Sequence, residues 1–407
     1  MFGAGKLKDC ARRERQQTCR SGDFFETGFP ATCHPRQENG PDGKAGRYLS
    51  CKMRMLPALQ ERNYEFAVIS SHGDWKVPDE TDYNGTPVYR FRFRTALVER
   101  NPARVLKLRQ QIAHLKKIYE PDLVHLNFHG HIAYFHLTTL TARPSPMLLT
   151  LHSDLSGFRS DEDTLVGRTL RSATWVNAVS NATLADAVHA VPEILDHSSV
   201  IYYGLALPEV SPERLDFDSP RILYIGRLVA EKGVDLAITA FASLRRRFPR
   251  ARLTIAGDGQ VRSELEKLTR ELELTNAVEF SGWINPEKIP ELINRATIVV
   301  IPSRYREPFA LVALQAAQMA RPVVAARMGG LPETVIDQQT GVLFENEDSA
   351  ALTEAIAFLL DNPDMAARMG EAGRRRAREV FNFERCVDAY DSLYASLIQK
   401  GQKHCAT

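Results

Sequence analysis

Residues 221–233 read RILYIGRLVAEKG, and the reading of this stretch decides the fold. Arg221 to Ile225 form a short, mostly aliphatic run of the kind a strand buried on both faces shows. It ends at Gly226-Arg227, where glycine permits a tight turn. Lys232-Gly233 then opens a segment of helical period, 234–247. Strand, glycine turn and helix make half of a parallel crossover unit. The rhythm recurs downstream at 252–256 (RLTIA), 278–281 (VEFS), 297–301 (TIVVI) and 322–326 (PVVAA). Upstream it is seen at 65–70 (EFAVIS), 87–93 (PVYRFRF), 122–126 (DLVHL), 147–151 (MLLTL) and 174–179 (TWVNAV). Strands alternating with helices predict parallel sheets.

The Pro- and acid-rich stretch 207–220 (LPEVSPERLDFDSP) separates two such blocks and reads as a linker. The expected class is therefore α/β, with two doubly wound Rossmann-like domains facing a cleft. The expected parts are an atypical segment 1–44, for which disorder is one reading, a first domain 45–206, the linker, a second domain 221–375, and a closing helix and tail 376–407. The stripe Val380, Phe383, Val387, Tyr390, Leu393, Tyr394 and Leu397 predicts that this helix packs back toward the first domain.

Composition bounds the function. With 407 residues, 44% apolar and 25% charged, the chain suits a globular protein of two domains. A formal charge of +2 argues against a dedicated nucleic-acid binder. The N-terminus lacks an apolar h-region and no run approaches a membrane span, so a cytoplasmic location is expected. Six scattered cysteines make no disulfide framework, and Cys10, Cys19, Cys33 and His34 lack zinc-site spacing. No metal and no cofactor are expected.

The candidate chemistry lies at successive strand ends of the second block. Arg227 and Lys232 place two cations near a helix start, which already favours anions; a diphosphate is the natural guest. Solvated surface cations are the bland alternative. Gly257-Asp258-Gly259 is a weak signal that also fits a plain tight turn. Glu307, in SRYREPF, is expected at a strand's C-terminal end, or simply as a helix-capping acid. After 322–326 comes Met328-Gly329-Gly330-Leu331-Pro332-Glu333, where the glycines allow close backbone approach and Glu333 suits the positive end of its helix. Each piece is moderate, but together on one sheet they reinforce each other.

Taken in order, G-R-x-x-x-x-K-G, G-D-G, E-P-F and P-V-V-A-A-x-x-G-G-L-P-E resemble the family 4 retaining glycosyltransferases of GT-B fold. The resemblance covers 219–375 nearly end to end and continues more weakly through 47–205. It implies that Arg227 and Lys232 hold the donor diphosphate, with Gly226, Gly257, Asp258, Gly259, Phe309, Leu311, Gly329, Gly330 and Leu331 around the donor. It also implies that Glu307 binds the donor sugar's hydroxyls and that His152, in LTLHSDL, contacts that sugar near the reacting carbon. From the residues alone, His152 fits a packed strand-end histidine equally well. The family's ribose-binding glutamate is Gln315 here, which keeps an acceptor and adds a donor but loses charge.

A second departure concerns the central strand of the first domain. Residues 1–44 hold no convincing apolar run, and DFFETGF is the best of them. Either an unobvious segment fills the place or that domain is incomplete. Gly40, Gly43 and Gly46 precede the next helix and offer a glycine loop.

The expected function is retaining transfer of a sugar from a UDP- or GDP-sugar to the hydroxyl of a carbohydrate, a glycolipid or other lipid-linked acceptor, or a small molecule. The alternatives are a non-catalytic or truncated relative, or an epimerase or hydrolase of the same fold. A nicotinamide dehydrogenase is set aside, because Gly257-Asp258-Gly259 lacks the third glycine and the acid about 20 residues on. His125, His129 and His131 cluster at one strand end without a further ligand. The basic segment 90–117 has an apolar helical face, Val105, Leu108, Ile112 and Leu115. It reads as a sheet-covering helix with a solvated face or as a peripheral membrane contact.

Overall fold

The computed structural model describes residues 23–27, 55–72, 78–127, 130–155 and 164–405. The chain divides into two compact units, residues 1–147 with 394–407, and residues 148–393. The first unit contains β1 (Asp23–Thr27), β2 (Phe66–Ser71), β3 (Glu80–Tyr83), β4 (Thr86–Phe91) and β5 (Leu123–Leu126), in the spatial order β3-β4-β2-β1-β5. The strand β1 pairs in parallel with β2 on one side and β5 on the other. The DFFET run therefore occupies the central place for which no strand was evident. Asp23, Glu26 and Thr27 hide it, because a strand enclosed by neighbours normally reads as continuously apolar. Between β3 and β4, Asn84 and Gly85 both take positive φ (51° and 80°), the Asn-Gly turn whose twist suits a two-residue hairpin.

Helix Pro102–Tyr119 starts at Asn101, whose side chain accepts from the Arg104 N–H at 3.1 Å, and buries Ile112, Leu115 and Lys116. Tyr394 also packs in this unit, edge-on to the Tyr64 ring and hydrogen-bonded to His125 Nδ1 at 2.7 Å. The last helix thus returns to the first unit as expected. The closing stretch is not one helix, however. Helices Pro363–Glu379 and Phe383–Cys405 are separated at 380–382, where Asn382 bridges to Leu205.

In the second unit, β6 (Met147–Leu151), β7 (Trp175–Ala178) and β8 (Ser198–Val200) pair in parallel. A six-stranded sheet contains β9 (Arg221–Ile225), β10 (Arg252–Ala256), β11 (Val278–Gly282), β12 (Ile298–Ile301), β13 (Val323–Ala326) and β14 (Gly341–Phe344). All its pairings are parallel, in the order β11-β10-β9-β12-β13-β14. Alternate residues feed two cores. Ile222, Tyr224, Val300 and Val324 pack with helices Val234–Arg245 and Ser349–Asp361, while Leu223, Val299, Ile301 and Val323 pack with helix Leu311–Gln318. Burial on both faces is why these strands are short apolar runs without polar alternation.

The stretch 207–220 lies along this unit. Asn294 accepts from the Glu213 N–H and donates to Ser211 O, and the buried Arg321 reaches Glu213 O at 2.7 Å. Thr297 donates to Asp216 O at 2.7 Å. The division between the two compact units falls at Met147/Leu148.

Candidate active site

Strand order reverses between β9 and β12. From β9 the chain steps outward to β10 and β11, then returns to place β12 on the other side of β9. Loops at the carboxyl ends of such a pair form a crevice where ligands bind. Here those loops are 226–233 and 302–310, flanked by 257–261 after β10 and 327–330 after β13.

Glycines allow these loops to meet backbone to backbone. Gly257, at φ 143°, lies so close that a Cβ there would strike the Gly226 carbonyl. A Cβ on Gly329, at φ 56°, would strike the Glu307 carbonyl, and one on Gly330 the Pro308 carbonyl. The Gly330 N–H donates to Glu307 O at 2.6 Å. The close approach expected from the glycine pair is thus made first to the loop carrying Glu307.

Within this frame the expected polar residues come together. Lys232 Nζ forms an ion pair with Glu307 Oε1, which also accepts from Ser303 Oγ at 2.9 Å. The Lys232 ammonium lies 5.3 Å from the Tyr305 ring centroid, a cation–π contact. Arg227 pairs with Glu231 at 3.2 Å. The main chain of Glu231 accepts from the N–H groups of Arg304 and Tyr305, at 2.9 and 3.0 Å, zipping the two loops together.

Two forked ion pairs brace the Glu307 loop. Arg304 Nη1 and Nη2 donate to the two oxygens of Asp235 at 2.7 and 2.8 Å. Arg306 grips Asp186 likewise, with both bonds 2.9 Å. Hydrogen bonding to these carboxylates raises both guanidinium pKa values. At Asp235 burial acts to raise the pKa, but Arg304 and the backbone N–H groups of Asp235 and Leu236 outweigh it and the net shift is downward. Ser303, Asp235 and Asp186 were not anticipated as site residues, since no local spacing connects them to Glu307.

His152, just past β6, stacks on Tyr203 with ring centroids 5.6 Å apart, and its Nδ1 is hydrogen-bonded to the Tyr203 hydroxyl. The phenol fixes the orientation of the imidazole at this strand end. Phe309 is 2% exposed and meets Tyr203 and Phe381 edge-on at 5.3 and 5.5 Å. Its ring belongs to the core. Leu331 is buried, whereas Leu311 and Gln315 lie half-buried in the first turns of helix Leu311–Gln318. Asp258 accepts from the Gly259 N–H at 2.8 Å and lies 3.5 Å from Arg262.

The Glu333 expectation is corrected. Its carboxylate does not serve its own helix, which is only Leu331–Thr334. It accepts from the backbone N–H groups of Asn181 and Ala182, both at 2.8 Å, and from the Tyr202 hydroxyl at 3.0 Å. Glu333 therefore caps helix Asn181–Ala190.

Among the histidines, His125 is spent on Tyr394, and burial with Arg94 nearby lowers the His131 pKa. His129 and residues Cys10, Cys19, Cys33 and His34 lie outside the described residues. Among the described residues, no group of three His, Cys, Asp or Glu could hold a metal ion, and no helix is long and apolar enough to cross a membrane.

A parallel sheet whose loops meet at its switch point belongs to the doubly wound α/β proteins, which bind ligands at that place. Comparison with known proteins narrows that class. Residues 209–376 match the model of the glycosyl transferases group 1, and residues 53–207 that of Glycosyltransferase Family 4. The chain is 32% identical over 292 residues to a glycogen synthase of Mycobacterium tuberculosis, covering 68% of this chain and 69% of that one. It is 38% identical over 166 residues to a GDP-mannose-dependent phosphatidylinositol monomannoside mannosyltransferase of Mycolicibacterium smegmatis, covering 39% and 44%. Among solved structures it is similar to a sucrose-phosphate synthase from Thermosynechococcus elongatus, with a TM-score of 0.75, 24% identity and coverage of 94% and 100%. It is also similar to Anabaena HepE in complex with UDP and glucose, with a TM-score of 0.70, 20% identity and coverage of 93% and 100%. The chain belongs to family 4 of the glycosyltransferases, has the GT-B fold of two Rossmann-like domains, and is a glycosyltransferase.

Proposed function

We propose that this enzyme moves a sugar from a nucleoside diphosphate sugar to an acceptor hydroxyl with retention at the anomeric carbon, using neither metal nor cofactor. The observation that carries the reading is the cation pair at the switch point. Arg227 and Lys232 flank the start of helix Val234–Arg245, and each is held by a carboxylate that a diphosphate could displace. In the transfer, the bond from the anomeric carbon to the diphosphate oxygen breaks, and the bond to the acceptor oxygen forms on the same face. The acceptor proton passes to the leaving diphosphate. Arg227, Lys232 and the helix start stabilise the negative charge that develops there. Glu307, released from Lys232 when the diphosphate arrives, is free to bind the sugar's hydroxyls, with His152 on the sugar near the reacting carbon. Gln315 is assigned to the ribose.

UDP and GDP are the donor bases to compare. HepE was solved with UDP, and the mannosyltransferase relative is GDP-mannose-dependent. The acceptor is a carbohydrate, a lipid-linked molecule or a small molecule.

A thermal-unfolding scan of the whole chain with saturating UDP, GDP, ADP or dTDP tests the donor site. A ligand at 100 times its Kd adds about 2.7 kcal/mol to the native state. One nucleotide raising the midpoint identifies the base, and no shift with any of them refutes the site. Incubation with the matching sugar nucleotide and no acceptor should yield neither epimer nor appreciable free sugar; either product in quantity would replace transfer with epimerisation or hydrolysis.

A further inference from the structure

We infer that the outward face of residues 93–119 is a docking surface for an anionic lipid bilayer. The segment comprises helix Phe93–Val98 and helix Pro102–Tyr119. Three large apolar side chains stand exposed along it: Val98 at 67%, Leu106 at 54% and Ile118 at 50%. Among the described residues, the other exposed large apolar ones, Leu195, Leu207, Trp283 and Phe358, are scattered through the chain. An apolar face used only for covering a sheet would point these groups inward, as Ile112 and Leu115 do.

The charge has one sign. Helix Pro102–Tyr119 contains no Asp or Glu, and Arg104, Lys107, Arg109 and Lys117 are exposed on it. At 3.6 residues per turn, Leu106, Lys107, Gln110, His114, Lys117 and Ile118 fall within an arc of about 120° opposite the buried face. Glu99 and Glu120 bound the helix at its two ends. Arg104 is paired with Glu99, and Arg109 reaches Thr138 O at 3.2 Å, so Lys107 and Lys117 are the cations that share the outward arc with the apolar pair.

Leu106 and Ile118 lie about 18 Å apart along the axis, with both lysines between them. This arrangement suits a helix lying in the plane of a bilayer surface. Its apolar ends enter the acyl boundary while the lysine stems reach up to lipid phosphates. A soluble polyanion would satisfy the lysines but offer nothing to Leu106 and Ile118.

Flotation of the full chain with vesicles of neutral phosphatidylcholine, alone or with phosphatidylglycerol, tests the proposal. Binding to the anionic vesicles only, weakening as salt is raised, is expected. Lys107→Gln with Lys117→Gln should lower it by about thirtyfold. Leu106→Ser with Ile118→Ser should lower vesicle binding severalfold and leave binding to heparin unchanged. Equal binding to neutral vesicles, no binding to anionic ones, or wild-type binding that the serine variant retains would each overturn the proposal. All four positions are exposed, so the nucleotide-dependent melting shift should persist in every variant. A vesicle result against the proposal would then leave the donor site standing.

Discussion

Two basic regions of this molecule are built on opposite plans. Around Glu307 every cation named for the site meets a carboxylate: Arg227 with Glu231, Lys232 with Glu307, Arg304 with Asp235 and Arg306 with Asp186. Along helix Pro102–Tyr119 the only carboxylate pairing is between Arg104 and Glu99 among the described residues. Its buried cation, Lys116, meets His136 Nδ1 and Thr139 Oγ1, both at 3.0 Å. Matched cations sit in fixed geometry at low cost and can exchange one anion for another, as the proposed binding and release of a diphosphate requires. Unmatched cations on a helix surface impose no geometry on a partner. They suit a diffuse one.

The largest effect should come from breaking the matched set at its centre. Lys232→Ala is expected to lower kcat by about a hundred- to a thousandfold, the scale for losing one preorganised group aimed at developing charge. KM should change little, because the charge on the leaving oxygen grows only toward the transition state. Steady-state kinetics with the donor named by the melting scan will check this. A variant with raised KM and unchanged kcat would make Lys232 a binding residue only.

The unmatched region should show itself in acid. Burial first, and then the Lys116 ammonium, hold His136 well below the ordinary histidine value of 6.5. The folded protein therefore keeps this ring neutral, while the unfolded chain protonates it below about pH 6.5. Stability from this source is complete above that pH and is lost as pH falls, by about 1.4 kcal/mol per pH unit. Urea unfolding between pH 7.5 and 5.5 should show the slope. His136→Gln, which can still accept from Lys116, should flatten it. A slope that survives in the variant would assign the acid sensitivity elsewhere.

The two regions also differ in what the sequence made legible. Arg227, Lys232 and Glu307 could be found because each follows a strand that reads as one, and a strand end is a place. Strands 221–225, 252–256 and 147–151 were legible to the residue for the same reason. The braces were not legible. Asp186 lies 120 positions from Arg306 and Glu333 lies 152 from Asn181, and no periodicity records a contact between such distant positions. The central strand of the first unit failed differently. Its place is set by backbone pairing on both sides, while Asp23, Glu26 and Thr27 obscure the apolar pattern that reveals a strand. The segment 90–117 was read as basic and amphipathic, but which apolar groups face out depends on how the helix is rolled onto its sheet.

Gln315 tests how far the matching of charge must extend. If the ribose needs only hydrogen bonds, Gln315→Glu should change nucleotide affinity by no more than about tenfold, since one charge-assisted bond adds roughly 1 kcal/mol over a neutral one. Calorimetric titration gives the number. A change of several hundredfold in either direction would mean that this position sets the electrostatics of the site.

The smallest effect should come from the backbone of the matched site itself. Its loops use glycine where φ is positive, at Gly233, Gly257 and Gly329, but Ala310, at φ 54°, precedes helix Leu311–Gln318 without one. An L-residue pays about 1 kcal/mol or more in this left-handed conformation. Glycine removes that strain but adds freedom to the unfolded chain worth about 0.4–1 kcal/mol. The net gain for Ala310→Gly should be about 0.5 kcal/mol, a rise of about 1–2 °C in Tm for a unit of this size. Ala310→Val should lower Tm by more than glycine raises it, because a β-branched residue tolerates positive φ worse than alanine does. If valine were neutral and glycine destabilising, Ala310 would be held by its packing beside Ile301 and Ala313 rather than strained by its backbone. The matched site would then depend on side-chain contacts even where its loops turn.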